Sequence, residues 1–195
     1  HKDIVFRMTS RVERLRSESR LDTSVPHDRL AGDIARQNTL APSAPHHFLT
    51  STERAPIEAE TTAFARDHLS GSQSTLECIA AIGIALNQSM RFDTQATTVD
   101  TPMIESFRNR HGVCQDFTHI MIACLRGIGI PAGYVSGYLR TLPPPGSERL
   151  EGADAMHAWV RAWCGGDMGW VEYDPTNAIF AGTDHIVVAR GRDYH

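Results

Sequence analysis

Residues Arg110–Leu125 read RHGVCQDFTHIMIACL, and how this stretch divides decides the fold. From Cys114 onward it carries Phe117, Ile120, Met121, Ile122, Cys124 and Leu125, apolar on almost every side of a helical wheel. That pattern predicts a helix over Cys114–Arg126 that is central and buried, because a surface helix keeps a polar face. Gly127 ends it, and Ile130-Pro131 forces an extended exit.

Working outward, the elements on either side must cover this helix. Before it, Ile57–Leu69 reads as a helix closed by Gly71. Ser74 is an N-cap for a second helix over Thr75–Met90, with Leu76, Ile79, Ile82 and Leu86 on its apolar face. Phe92–Thr101 is a polar connection, and Pro102 stands at N1 of a short helix running to about Arg110. After it, strands are expected at Tyr134–Leu139, His157–Cys164, Gly169–Asp174 and His185–Ala189. The loop Arg140–Ala153 holds three consecutive prolines, the sort of surface segment that often frames a site. Helices first and strands later predict an α+β fold with an antiparallel sheet. At the N-terminal end, IVFRMTSRVERL (4–15) reads as a strand, and residues 16–52 read as a weakly structured connection.

The chain has 195 residues, enough for one domain, and its 41% apolar and 22% charged residues are ordinary for a globular protein. A net charge of −4 gives no basic footprint for nucleic acid and no polybasic membrane patch. No apolar run approaches the roughly 18 residues that span a bilayer. The chain starts at His1 and reads as an excised piece of a longer protein, with a cytoplasmic location expected. Four cysteines are too few for a disulfide framework. Cys78, Cys124 and Cys164 sit in apolar surroundings as small buried hydrophobes, whereas Cys114 begins its helix. Without a CxxC or HExxH pair, no metal or other cofactor is expected.

A free thiol titrates near ~8.5, and unpaired N–H groups at a helix N-terminus lower that value, as does a neighbouring imidazolium. Cys114 meets the first condition by position. Gly112 allows a close approach of backbone and substrate. Asp116, in the first turn, is expected to point away from the sulfur and bond locally. The Cys114 N–H, with Gln115 as a side-chain donor, is a candidate oxyanion site. His157, Trp159, Arg161 and Trp163 share one face of their strand, leaving Ala158, Val160, Ala162 and Cys164 to the core. If Gly165-Gly166 forms a two-residue turn, His157 and Asp174 each lie eight residues from it and face one another. A slip of two residues leaves them diagonal on the same face, and a slip of one separates them. Pro175 holds Asp174 extended, where it can orient one imidazole nitrogen and leave the other for the sulfur.

Other readings stand beside this one. His111, Cys114 and His119 form H-x2-C-x4-H, a metal set that lacks a fourth ligand; a hydrogen-bonded core His119 is the simpler account. Trp159 is placed in the substrate groove, while Trp163 and Trp170 either wall it or pack. His185 is taken as structural and His46-His47 as an exposed loop pair.

Taken in order, GVCQDF, GIPAGYVSGYL, HAWVRAW, GWVEYDPTN and HIVVARGRDY resemble the bacterial transglutaminase-like superfamily over about residues 57–194. The resemblance implies a papain-like core with Cys114 as nucleophile, His157 as base and Asp174 as orienting acid. It also implies a β-rich region before the core, so residues 1–52 would be its end plus a linker and 53–195 the catalytic core. The implied chemistry is attack on a carboxamide or peptide carbonyl, a thioester, and transfer to water or an amine. Hydrolysis is favoured because water needs no acceptor site. The alternative is a catalytically silent, peptide-binding domain of the same fold. The expected partner is a peptide or protein substrate, with no nucleic acid and no membrane.

Overall fold

Helix α5 (Cys114–Gly127) runs through the middle of the molecule, and every residue from Asp116 to Arg126 is buried. The computed structural model describes residues 9–15, 21–140, 142–143, 145–153 and 156–194. Around α5 pack α2 (Ala59–Asp67), α3 (Thr75–Ser89) and α4 (Met103–Asn109), with the sheet on the remaining side. The helix has no polar face because it has no solvent side: Ile120, Met121, Ile122 and Leu125 point in different directions and are all fully buried. Burying a Leu- or Ile-sized side chain stabilises by roughly 1.5–3 kcal/mol each, so this element dominates the core.

Helix α3 starts at Ser74 through a capping box, with the Ser74 side chain accepting from the Glu77 N–H and Glu77 accepting from the Ser74 N–H. Pro102 is the N-cap of α4 rather than its first residue. The connection 92–101 is polar as expected, but its start pairs: β1 (Arg91–Phe92) runs parallel to β2 (His111–Gly112), the two residues before Val113 and Cys114.

The sheet has the order β6-β5-β4-β3-β7, all neighbours antiparallel, from β3 (Ala132–Leu139), β4 (Met156–Trp163), β5 (Trp170–Asp174), β6 (Ile179–Phe180) and β7 (His185–Gly191). The turn between β4 and β5 is longer than a Gly-Gly hairpin. Cys164 N donates to Gly169 O at 2.8 Å and Gly169 N to Gly165 O at 2.7 Å, so Trp163 pairs with Trp170 and Val160 with Tyr173. The register is therefore shifted by two residues, and His157 and Asp174 stand diagonal on one face instead of directly opposed.

The N-terminal expectations need correction. Residues 9–15 are irregular rather than a strand, and 4–8 lie outside the described residues. Residues 21–52 are not a loose connection. Val25 joins the start of α3 to the end of β4, donating to Cys164 O at 2.9 Å and accepting from Thr75 N at 3.0 Å. Helix α1 (His27–Ala35) then buries Leu30 and Ile34, one turn apart, in the main core. Only this short pair carries the helical signal, and the surrounding prolines mask it. His46 and His47 are half-buried in a 3-10 turn (Pro45–Phe48) that sinks Phe48 against Trp170 and the Arg161 guanidinium. Among the described residues no helix is long and apolar enough to cross a membrane.

Candidate active site

Val113 caps α5, and its N–H donates at 2.8 Å to Asp116, which closes the first turn from within. Asp116 also accepts from Thr97 Oγ1 at 2.5 Å and Ser106 Oγ at 3.0 Å, so its charge is spent locally as expected. Gly112 has a different reason from the one read in the sequence. A Cβ there would lie 2.6 Å from Asp116 Oδ2, so the missing side chain makes room for this carboxylate rather than for substrate.

Cys114 is the only one of the four cysteines that is not buried, and it opens onto a cavity of about 490 Å³. His157, Gly152, Tyr134, Ser136 and Tyr194 share that wall. Burial pushes the other thiols up, Cys78 to about 11 and Cys124 and Cys164 to about 12. At neutral pH these three stay protonated and unreactive.

His157 Nε2 and Asp174 Oδ2 are 2.8 Å apart, with both side chains fully buried. The other ring nitrogen, Nδ1, is buried without a hydrogen-bond partner among the described residues. Burial alone would lower the His157 pKa, but the hydrogen bond with Asp174 and the charges of Asp174 and Cys114 outweigh it and raise it to about 9. Since Nε2 is taken by Asp174, the interaction with the thiol falls to Nδ1. Burial likewise opposes ionisation of Asp174, yet hydrogen bonds from His157, His185 and Asn177 and the His157 charge hold it well below the usual carboxylate range.

Asp174 is unusually well held. Oδ2 accepts from His157, from His185 Nε2 at 3.1 Å and from Asn177 Nδ2 at 2.7 Å, while Oδ1 accepts from the N–H groups of Thr176 and Asn177 at 3.0 and 3.2 Å. The Gly182 N–H donates to His185 Nδ1 at 3.3 Å, which fixes the His185 tautomer with its proton on Nε2. His185 is thus structural in the sense that it anchors the Asp174 carboxylate.

Trp159 is not a groove wall. It is completely buried and stacks behind His157, ring centroids 6.1 Å apart at 27°, with Nε1 donating to Glu172 at 2.9 Å. The strand alternation places it on the same face as His157, but its indole lies over Gly137 of β3 and against the His185 ring, which leaves no groove there. Trp163 and Trp170 pack edge to face on each other. Gln115 lines the cavity rim, and its Nε2 donates at 3.5 Å to Val99 O on the side of a second cavity of about 210 Å³. His119 is the hydrogen-bonded core residue expected: burial lowers it to about 4, and the neutral ring accepts the Tyr194 N–H at 3.2 Å. That bond, and an Arg192 carbonyl held by Arg126 at 2.6 Å, put Tyr194 into the cavity wall.

Tyr194, Gly152 and Asn177 are site residues that sequence reasoning missed. Asn177 was legible in DPTN as a turn residue with a free carboxamide three positions after the acid. Gly152 and Tyr194 carry no local signal; long-range packing alone brings them in.

A cysteine at the head of a buried helix, facing a His–Asp pair on an antiparallel sheet, defines the papain-like, transglutaminase-type class of core. The chain belongs to the Transglutaminase-like superfamily, whose sequence profile matches residues 62–175. An uncharacterised protein of Mycobacterium tuberculosis is 43% identical over 122 residues, covering 61% of this chain and 39% of that protein. One of Mycobacterium leprae is 41% identical over 101 residues, covering 50% and 34%. The chain thus spans well under half the length of these relatives. Among solved structures, a candidate cysteine protease from Cytophaga hutchinsonii superimposes with a TM-score of 0.62 at 26% identity, covering 76% of this chain and 47% of that one.

Proposed function

We propose that the chain is a thiol-dependent acyl-transfer enzyme acting on peptide or carboxamide bonds, with Cys114 as nucleophile, His157 as base and acid, and Asp174 as the orienting group. The observation that carries this reading is the buried His157–Asp174 bond of 2.8 Å, beside the one cysteine of the four that is not buried.

In this reading the Cys114 thiol gives its proton to His157 Nδ1, and Asp174 stabilises the imidazolium through Nε2. The thiolate attacks the carbonyl carbon, and the developing oxyanion is met by unpaired N–H groups at the start of α5, that of Cys114 first. The imidazolium returns its proton to the leaving nitrogen, the C–N bond breaks, and a thioester remains. Water, deprotonated by His157, adds to the thioester carbon, and the thiol leaves with the acid as product. An amine in place of water gives transamidation; hydrolysis is favoured because it needs no second binding site.

The test is the pH profile of Cys114 alkylation by iodoacetamide in the intact chain and in a His157→Ala variant. Rapid labelling below pH 7 that disappears in the variant is the expected result. Slow labelling with an ordinary thiol profile in both would overturn the enzyme and leave a peptide-binding domain of the same fold. A peptide-library hydrolysis screen run beside an amine-incorporation screen then separates the two acceptors.

A further inference from the structure

Asp174 and the loop over His157 come from distant parts of the chain, yet one side chain touches both. Asn177 lies in the turn after β5. Its Nδ2 donates to Asp174 Oδ2 at 2.7 Å, while its Oδ1 accepts from the Glu151 N–H at 2.8 Å and its Nδ2 also reaches Glu151 O at 3.3 Å. A carboxamide alone among side chains of this length offers a donor to the carboxylate and an acceptor to the amide at once.

The residue after Glu151 is Gly152, at φ +82°, and a Cβ built there would stand 2.4 Å from His157 Nδ1. The loop backbone therefore lies directly on the ring nitrogen left over from the Asp174 bond. Nδ1 itself is buried at the edge of the cavity. A glycine is needed here on two counts, the positive φ and the close approach.

We infer that Asn177 is a positioning residue of the site: it clamps the Asp174 carboxylate toward His157 with one end of its amide and holds the Glu151–Gly152 backbone over the same imidazole with the other. The inference rests on the thiol reading above and adds to it the device that keeps the pair aligned and dry. Two consequences of losing the clamp act in one direction. The carboxylate gains freedom to turn from Nε2, and water reaches Nδ1 and screens the charges of the pair. A third acts against them, since a carboxylate with one donor fewer is a stronger acceptor for His157. A positioning role requires the first two to win.

The experiment compares Cys114 alkylation from pH 5 to 9 in the intact chain and in Asn177→Ala. The acid limb is expected to move to higher pH, with the rate at pH 6 falling about tenfold, the size of one lost hydrogen bond to a charged group. The rate at pH 9, where the thiolate forms unaided, changes by less than about twofold. An unchanged profile in a variant of lowered melting temperature means a merely structural role and overturns the inference. A shift of the acid limb to lower pH means that Asn177 tunes basicity rather than position, and overturns it too. If the unmodified protein lacks low-pH labelling, the thiol reading fails first and takes this inference with it; an effect missing only in the variant removes the inference alone. Should Asn177→Ala fail to fold, hydrogen exchange in the unmodified protein decides. A Glu151 amide protected relative to those of Gly146 and Ser147 supports the clamp, and one that exchanges as fast as they do overturns it.

Discussion

The two ends of α5 face opposite demands. At its last turn Arg126 is buried and each of its three side-chain nitrogens has a partner, with Nε on Ala132 O at 3.1 Å, one terminal nitrogen on Thr52 Oγ1 at 3.0 Å and the other on Arg192 O at 2.6 Å. At its first residue Cys114 opens onto a cavity of about 490 Å³, and its own carbonyl is tied down by Thr118 at 2.7 Å. One end is a fastening and the other a working surface. The fastening draws three separated segments onto the helix, which lets the opposite end leave a sulfur open without losing its place.

The contrast within this one helix is sharpest between its cysteines. Cys124 is buried with its thiol pushed up to about 12, so at pH 7 it should alkylate at least about 1,000-fold more slowly than Cys114 in native protein. Mass mapping after brief labelling checks this, with Cys124→Ala retaining full modification at Cys114. Comparable labelling of both cysteines in folded protein would erase the distinction between the two ends.

Breaking the fastening is the next largest effect. Arg126→Met leaves three acceptors, one buried and two part-buried, without their donor and should cost about 3 kcal/mol, read from the urea midpoint. If the loss is under about 1 kcal/mol, the C-terminal end of α5 does not hold the segments it touches.

The smallest effect belongs to the working end. The His157 pKa is raised to about 9 from an ordinary 6.5, so the stability that its charged form contributes is complete below about pH 6.5 and is lost as pH rises through 9. Asp174, held low, contributes stability that is present above about pH 4 and lost only in stronger acid. Urea unfolding should therefore weaken by about 2 kcal/mol between pH 6.5 and 9. That decline should disappear in His157→Gln. A decline of equal size in both proteins would assign it to other groups.

How much of this was legible in the chain depends on the range of the interaction. The nearly all-apolar run after Cys114 fixes a buried helix, and the alternation of MHAWVRAW with the spacing to Asp174 puts the two residues on one face even though the turn is longer than Gly-Gly. The parity of a β-strand survives a two-residue shift, which is why that reading tolerated the wrong turn. Trp159 shows where parity stops. It shares the face of His157, but only its contacts with Gly137 of β3 and His185 of β7 decide that the indole is buried. Helix α1 was hidden because Leu30 and Ile34 are too few to register as a period, and Gly152 and Tyr194 because their meaning lies in contacts across the fold.

The bond from the Tyr194 N–H to His119 has a consequence for the width of the cleft. His119 lies on the same helix as Cys114, five residues further along, and the Tyr194 backbone hangs from it. The sulfur and the opposite jaw are thus gauged from a single rod. A residue inserted between 114 and 119 would turn one mark about 100° against the other, so the span of α5 between them acts as a calliper setting for the width of the cavity beside the thiol.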